Sequence, residues 1–389
     1  MTPTPQRGFK DAEFRARTAR AQTAMAAAGI DALLLTTEPE VRYFTGFLTR
    51  FWESPTRPWF VIVPATGAPV AVIPAIGAPL MARGWITDIR TWRAPDLSDD
   101  GVSLLAETLR ETIGPTGRVG LPMGHESHLR MPLADYARLC AAVAPIRFCA
   151  DDGILRALRM VKSPAEIAKI QTACSIANRA FSRVPEIAHQ GTPLSQVFRR
   201  FQMLCLEEGA DWVPYLAGAA AAGGYDDVIS PAQDAPLATG DVLMLDTGLV
   251  WDGYFCDFDR NFSIGPPAPD VSAGYARLIE AVQAGLAVAR PGATAAQVFA
   301  AMDQIVTGGA GGSDAGRLGH GLGMQLTEAP SLIPDDHTVL KAGMVLTLEP
   351  GIEVAPGRIL VHEENIVINE TGAAFLSEPA PPQIPVLSS

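Results

Sequence analysis

The chain has 389 residues, 48% of them hydrophobic and 19% charged, enough for a large core and two domains. Its net charge of −12 disfavours nucleic acid or an anionic membrane as a partner, and no basic stripe with interleaved aromatics offsets it. The five cysteines (Cys140, Cys149, Cys174, Cys205, Cys256) are odd in number and lack CxxC spacing, so they read as reduced thiols of a cytosolic protein. The N-terminus, MTPTPQRGFKDAEF, lacks the apolar core of a signal peptide, and no run reaches the length of a membrane span.

In chain order, residues 11–28 predict a helix ended by Gly29, followed by a strand at 30–36. Strands are expected at 59–64, 69–75 and 118–123, and helices near 101–113 and 129–143. This alternation predicts an α/β domain over 1–150. No Gly-rich phosphate loop follows a strand, so a dinucleotide site is not expected. The segment FLTRFWESPTRPWF at 47–60 is aromatic, Arg-bearing and broken by Pro. It is either an aromatic cap on the domain core or a pocket wall, with Phe51, Trp52 and Arg57 as the substrate-facing candidates. A second domain, 151–389, opens on a long helix starting at Ser163-Pro164 with Glu166 in its first turn. Further helices are expected near 194–208, 270–289 and 294–306. The Ala/Gly-rich stretch 215–225 reads as loop.

Two hairpins carry the chemistry. In TGDVLMLDTGLVWDGYFCDFDRNFSIG (239–265), Asp252-Gly253 is a two-residue turn signal. Centring on it sets residue 246 opposite 259 and 248 opposite 257. Asp246, Asp257 and Asp259 then crowd one face, with Gly248 leaving space beside them. In the second hairpin, 344–354 and 358–368 flank Pro356-Gly357; with no bulge, Glu349 lies opposite Glu364, and Glu363 is the rival. Between the hairpins His320 stands in GHGLG. Facing carboxylates require a cation, a shared proton or a base. Asp246, Asp257, His320, Glu349 and Glu364 form an oxygen-rich set suited to two divalent ions, Mn first, with Co, Fe or Zn as alternatives.

The order Asp246, Asp257, His320, Glu349, Glu364, with the wording LDTG, DFDRNFSIG, GHGLG, TLEPGI and HEENIVI, resembles the M24 metallopeptidases of the pita-bread fold. The long N-terminal domain, with VRYFTGF at 41–47, is most similar to the aminopeptidase P/prolidase/creatinase branch. The resemblance implies an α+β protein: a C-terminal pita-bread domain preceded by a smaller creatinase-like α/β domain. It implies a metallohydrolase cleaving Xaa-Pro peptides with a metal-bridging hydroxide. Asp246 would bind one metal, Asp257 and Glu364 would bridge, and His320 and Glu349 would complete the second. Glu349 would also shuttle the proton. A homodimer is the expected assembly, with a small peptide or amide as partner.

This chain departs from the family pattern in two places. The family's second histidine, in an H-E-x-P segment, is Thr327 here, and the histidine upstream of the first Asp is absent. Each lost oxyanion donor is worth on the order of 3 kcal/mol. His362, Tyr225 and Thr327 are the candidate replacements at substrate, with Asp226, Asp227 and His337 behind them. The family also carries a hydroxyl residue where this chain has Asp259; pairing with Arg260 or with a nearby base is the expected role. The losses keep open a creatinase-like amidine hydrolase or a lyase, and, as a third class, a metal-free binding protein.

Overall fold

The computed structural model describes residues 5–54, 57–311 and 316–388. These divide into two compact units, Gln6–Arg159 and Met160 onward.

The N-terminal unit is built on a mixed six-stranded sheet. Its order is Asp88–Trp92, Val70–Pro74, Phe60–Pro64, Ala32–Leu35, Arg118–Leu121, Arg147–Ala150. The two outer strands lack a clear apolar run and were not foreseen. Helix Asp11–Ala28 ends as expected, because Gly29 takes a left-handed φ of 64° and its N–H reaches back to Ala26 O. Helices Val102–Ile113 and Leu133–Val143 bury Leu105, Leu109 and Leu139 against Leu34, Ile62 and Val72 of the sheet. VRYFTGF falls largely on the helix Glu38–Thr45.

The second unit opens on helix Pro164–Ser182. Ser163 Oγ accepts from Glu166 N, and the Glu166 carboxylate accepts from Ser163 N. Two sheets follow. One runs Val386–Leu387, Phe258–Ile264, Asp241–Trp251, Trp212–Ala222. The other runs Glu328–Ser331, His320–Gly321, Val345–Leu348, Glu364–Ile368, Ala373–Phe375. Helices Pro269–Val288 and Ala295–Val306 pack Leu278, Val282, Val298 and Met302 onto Leu346, Leu348 and Ile366. The chain is thus α+β, as expected. The stretch 215–225, expected as loop, belongs mostly to the strand Trp212–Ala222. Its small residues let backbones approach: a Cβ on Gly218 would lie 2.2 Å from Met244 O.

The two hairpins differ in how they keep register. In the first, Asp252 and Gly253 both have positive φ, 48° and 78°, and the pairing runs without a slip from Trp251↔Tyr254 to Asp246↔Asp259. In the second, a bulge between Glu353 and Ala355 breaks the count. Beyond it, Gly351 pairs with Val361 and Leu348 with Glu364. The expected facing pair Glu349–Glu364 is therefore displaced by one residue. Val354, the extra residue, packs against helix Pro269–Val288: a Cβ on Gly274 would lie 2.3 Å from Val354 Cγ1. Tertiary packing on the helix accommodates the bulge, and a slip of one residue exchanges the two faces of the strand.

Candidate metal centre

Asp257, His320 and Glu363 come together, each offering a ligand atom within 4.8 Å of the others. His320 Nε2 lies 3.4 Å from Asp257 Oδ2 and 3.8 Å from Glu349 Oε2. His320 Nδ1 faces the Gly321 carbonyl oxygen at 2.8 Å, so the proton sits on Nδ1 and the Nε2 lone pair points at the carboxylates. The glycines beside it are required by space. A Cβ on Gly319 would lie 2.4 Å from Thr347 O, and one on Gly321 would lie 2.1 Å from Ala329 O. Asp246 joins from the first hairpin, across the ladder from Asp259. The Tyr215 hydroxyl bonds the Asp246 carboxylate, a contact the sequence reading missed because Tyr215 lay in the supposed loop.

Glu364 does not share this space. Its carboxylate accepts from Arg260 Nη2 at 3.0 Å, from Ala380 N at 2.8 Å and from the Ser377 hydroxyl, with His362 Nε2 at 3.2 Å. Burial opposes its ionisation, but Arg260, His362 and Ser377 win and hold it at about 2. The bulge explains the exchange: Glu363, not Glu364, lies on the face of Glu349. The space expected beside Gly248 is also filled, since a Cβ there would lie 2.1 Å from Leu326 Cδ1.

The electrostatics fit a bound cation. Burial, then repulsion from Asp257, Asp259 and Glu349, pushes Asp246 well above the usual carboxylate range. Burial, with Asp257, Glu349 and Asp246, does the same to Glu363. Burial also raises Asp257, against the pull of Arg317. Glu349 is pushed up to about 7, by burial first; His320 and Arg317 pull it down while Asp257 repels it. Asp246 Oδ1, Asp259 Oδ2 and Glu363 Oε1 are buried with no hydrogen-bond partner. Orphaned carboxylate oxygens at this density need positive charge. Hard oxygens with one imidazole suit Mn, Fe, Co or Zn.

These two features, the ordered ligand set and its convergence, carry the family. The model of metallopeptidase family M24 matches residues 168–370, and that of the creatinase/prolidase N-terminal domain matches 17–161. The chain belongs to metallopeptidase family M24. It is 31% identical over 373 residues to "Probable dipeptidase PepE" of Mycobacterium tuberculosis, covering 94% of this chain and 95% of that protein. It is 30% identical over 230 residues to the Xaa-Pro dipeptidase of Pyrococcus furiosus, covering 58% of this chain and 66% of that one. The crystal structure of dipeptidase PepE from Mycobacterium ulcerans superposes with a TM-score of 0.84 at 28% identity, covering 98% of this chain and all (100%) of that one. The prolidase from Thermococcus sibiricus has the same fold, with a TM-score of 0.85 at 22% identity over 98% of this chain and 100% of that one. The chain is thus an M24-type metallohydrolase, and its family implies divalent metal. No helix of the described residues is long and apolar enough to cross a membrane.

The remaining candidates scatter. Tyr225 is fully buried; its hydroxyl accepts from Val361 N at 2.7 Å and reaches Asn261 Oδ1 at 3.0 Å, so it ties strands together. His362, expected at the substrate, is 1% exposed and lies between Asp259 and Glu364. Asp226 and His337 are exposed, and Asp227 accepts from Ile229 N at 2.8 Å in a turn of its own. Thr327 is near the centre, taking a hydrogen bond of 3.4 Å from Arg317 Nη2. Arg317, missed in the sequence because its loop carries no motif, also lies 3.6 Å from Glu349 Oε1.

Within the N-terminal unit, Trp52 packs on Trp59 with ring centroids 5.8 Å apart and planes tilted by 50°, and Arg57 lies 5.0 Å over the Phe51 ring. Arg130 ties the segment down by donating to Trp52 O, Ser54 O and Arg57 O. Inside its own unit the segment is an aromatic cap. Pro55 and Thr56 lie outside the described residues.

Proposed function

We propose that this chain hydrolyses the Xaa-Pro bond of dipeptides or short peptides at a dinuclear centre held by Asp246, Asp257, His320, Glu349 and Glu363. The observation that carries this reading is the convergence of Asp257, His320 and Glu363 beside orphaned buried carboxylate oxygens. Divalent metal held by these residues would supply Lewis-acid chemistry, acidifying a water and polarising the scissile carbonyl. The protein's own part is proton transfer and positioning. Glu349, at the mouth with its side chain 24% exposed, takes the proton of the attacking water and delivers it to the leaving nitrogen. Tyr215 orients Asp246. Arg317 stands beside Thr327, where the resemblance calls for histidine, and supplies positive charge to the developing oxyanion.

Mn is the first choice of metal for this oxygen-rich set. Free thiols among the described residues accord with a cytoplasmic protein, and a homodimer with Trp52 and Arg57 near a partner's site is the assembly to test. The relatives and structures named above are peptidases by name, which weighs against the amidine-hydrolase and lyase alternatives. Four mutually repelling carboxylates weigh against a metal-free binding protein. The test is mass spectrometry of products after Mn-loaded enzyme meets a panel of Xaa-Pro dipeptides and longer Xaa-Pro peptides. Release of the N-terminal residue is expected; silence from an enzyme with verified metal content would refute the peptidase reading.

A further inference from the structure

Two of the proposed ligand residues are gripped through their backbones by side chains of neighbouring strands. Asn365 Oδ1 accepts from Asp257 N at 3.0 Å and its Nδ2 donates to Asp257 O. Glu363 is held in a different way. Asp259 Oδ1 accepts from Glu363 N at 3.0 Å, and Arg260 Nη1 donates to Glu363 O at 3.0 Å. Those two side chains are themselves joined behind the ligand. Arg260 Nη2 donates to Glu364 Oε2 at 3.0 Å. His362 lies between Asp259 and Glu364 at ion-pair distance, with Nδ1 3.4 Å from Asp259 Oδ1 and Nε2 3.2 Å from Glu364 Oε1, and neither ring nitrogen makes a hydrogen bond. The side chains of Asp259, His362 and Glu364 are 1–2% exposed, and that of Arg260 is 10% exposed.

Two carboxylates, Asp259 and Glu364, face His362 from either side, and Arg260 faces Glu364. In a buried cluster of this kind each member is held by its neighbours, and removing one leaves the others without their partner in a low dielectric. We propose that His362 is a positioning residue: by bridging Asp259 and Glu364 it locks the backbone of Glu363, and so sets the affinity of the centre for metal and not for substrate. This inference rests on the reading of Glu363 as a ligand.

The test is Mn(II) binding to metal-free full-length protein, followed by loss of the free-ion EPR signal, beside thermal melting of the same samples. Outer supports of ligands are typically worth 10–100-fold in metal affinity. His362→Ala is expected to weaken Mn binding by at least about 10-fold, while KM of the Mn-saturated enzyme stays within about twofold. The double variant Asp259→Thr/His362→Leu removes both members of one ion pair and leaves a hydroxyl for Glu363 N; it is expected to recover most of the affinity. If His362→Ala does not fold, Asp259→Thr compared with the double variant reads the same coupling: adding His362→Leu should then weaken Mn binding little further. Unchanged Mn affinity in His362→Ala with only a lowered Tm overturns the proposal, since it reduces His362 to a structural role. A raised KM with unchanged Mn affinity overturns it in favour of substrate contact. Failure of the wild-type protein to bind Mn would instead sink the metal-centre reading itself.

Discussion

Glu363 and Glu364 are adjacent, equally acidic and both buried, yet the fold assigns them opposite surroundings, so the pair Glu363→Gln and Glu364→Gln tests the site directly. Glu364 sits among positive charge. Holding its carboxyl at about 2 against an ordinary 4.5 corresponds to about 3 kcal/mol of stability. Removing one partner of a buried ion pair costs a similar ~3–5 kcal/mol. At roughly 2–4 °C per kcal/mol for a unit of this size, Glu364→Gln should lower Tm by about 6–12 °C at pH 7. Because the folded pKa is depressed, the stabilisation is present above pH 4.5 and is lost as pH falls toward about 2, so the gap should narrow in acid. Glu363 sits among like charge. Glu363→Gln should therefore raise the Tm of metal-free protein, while weakening Mn binding by at least about 100-fold, the upper range for a ligand's mere supports. Differential scanning fluorimetry with and without EDTA, together with Mn titration calorimetry, reads both variants. If Glu364→Gln abolishes Mn binding and Glu363→Gln spares it, the bulge at Val354 and the site built on it are wrong.

Other outcomes follow from the same geometry. In EDTA, Tm should fall as pH rises from 4.5 toward 7: Glu349 has a raised folded pKa of about 7, so the folded state holds the extra proton in that window. Asp246, Asp257 and Glu363 shift in the same direction, and saturating Mn should abolish the fall; a flat metal-free profile would contradict the crowding. Arg317→Ala removes a charge that pulls Glu349 down against its burial, so the acid limb of the kcat/KM profile should move up in pH, with a drop in kcat of about 10²-fold if Arg317 serves the oxyanion. An unchanged profile and rate would remove Arg317 from the reaction. Trp52→Ala should destabilise the N-terminal unit by about 3–5 kcal/mol, seen as faster proteolysis of that unit, because the ring packs on Trp59 and under Arg130. Altered dipeptide selectivity in an otherwise stable Trp52→Ala enzyme would argue for the pocket-wall role.

Much of this protein was legible in its sequence because the signals were local. The Asp-Gly turn dictates its own positive φ values, so the pairing of Asp246 with Asp259 could be counted along the chain. The capping box at Ser163 and the Gly29 stop marked helix ends in the same way. The ligand types and their order identified the family and the need for divalent metal. What the sequence by itself could not decide was any property that depends on a distant surface. The second hairpin has the turn its residues predict, but Val354 is pulled into a bulge by the helix packed on it, and that single extra residue delivers Glu363 to the centre and turns Glu364 toward Arg260. Leu326 fills the room beside Gly248, and Tyr215 meets Asp246 from a strand too rich in alanine and glycine to be read as one. His362 had the right chemistry to touch a substrate; only the approach of Asp259 from another strand sealed it behind the proposed metal ligands. Side-chain periodicity fixes which residues share a face only while the count along the strand is unbroken, and tertiary packing decides where it breaks.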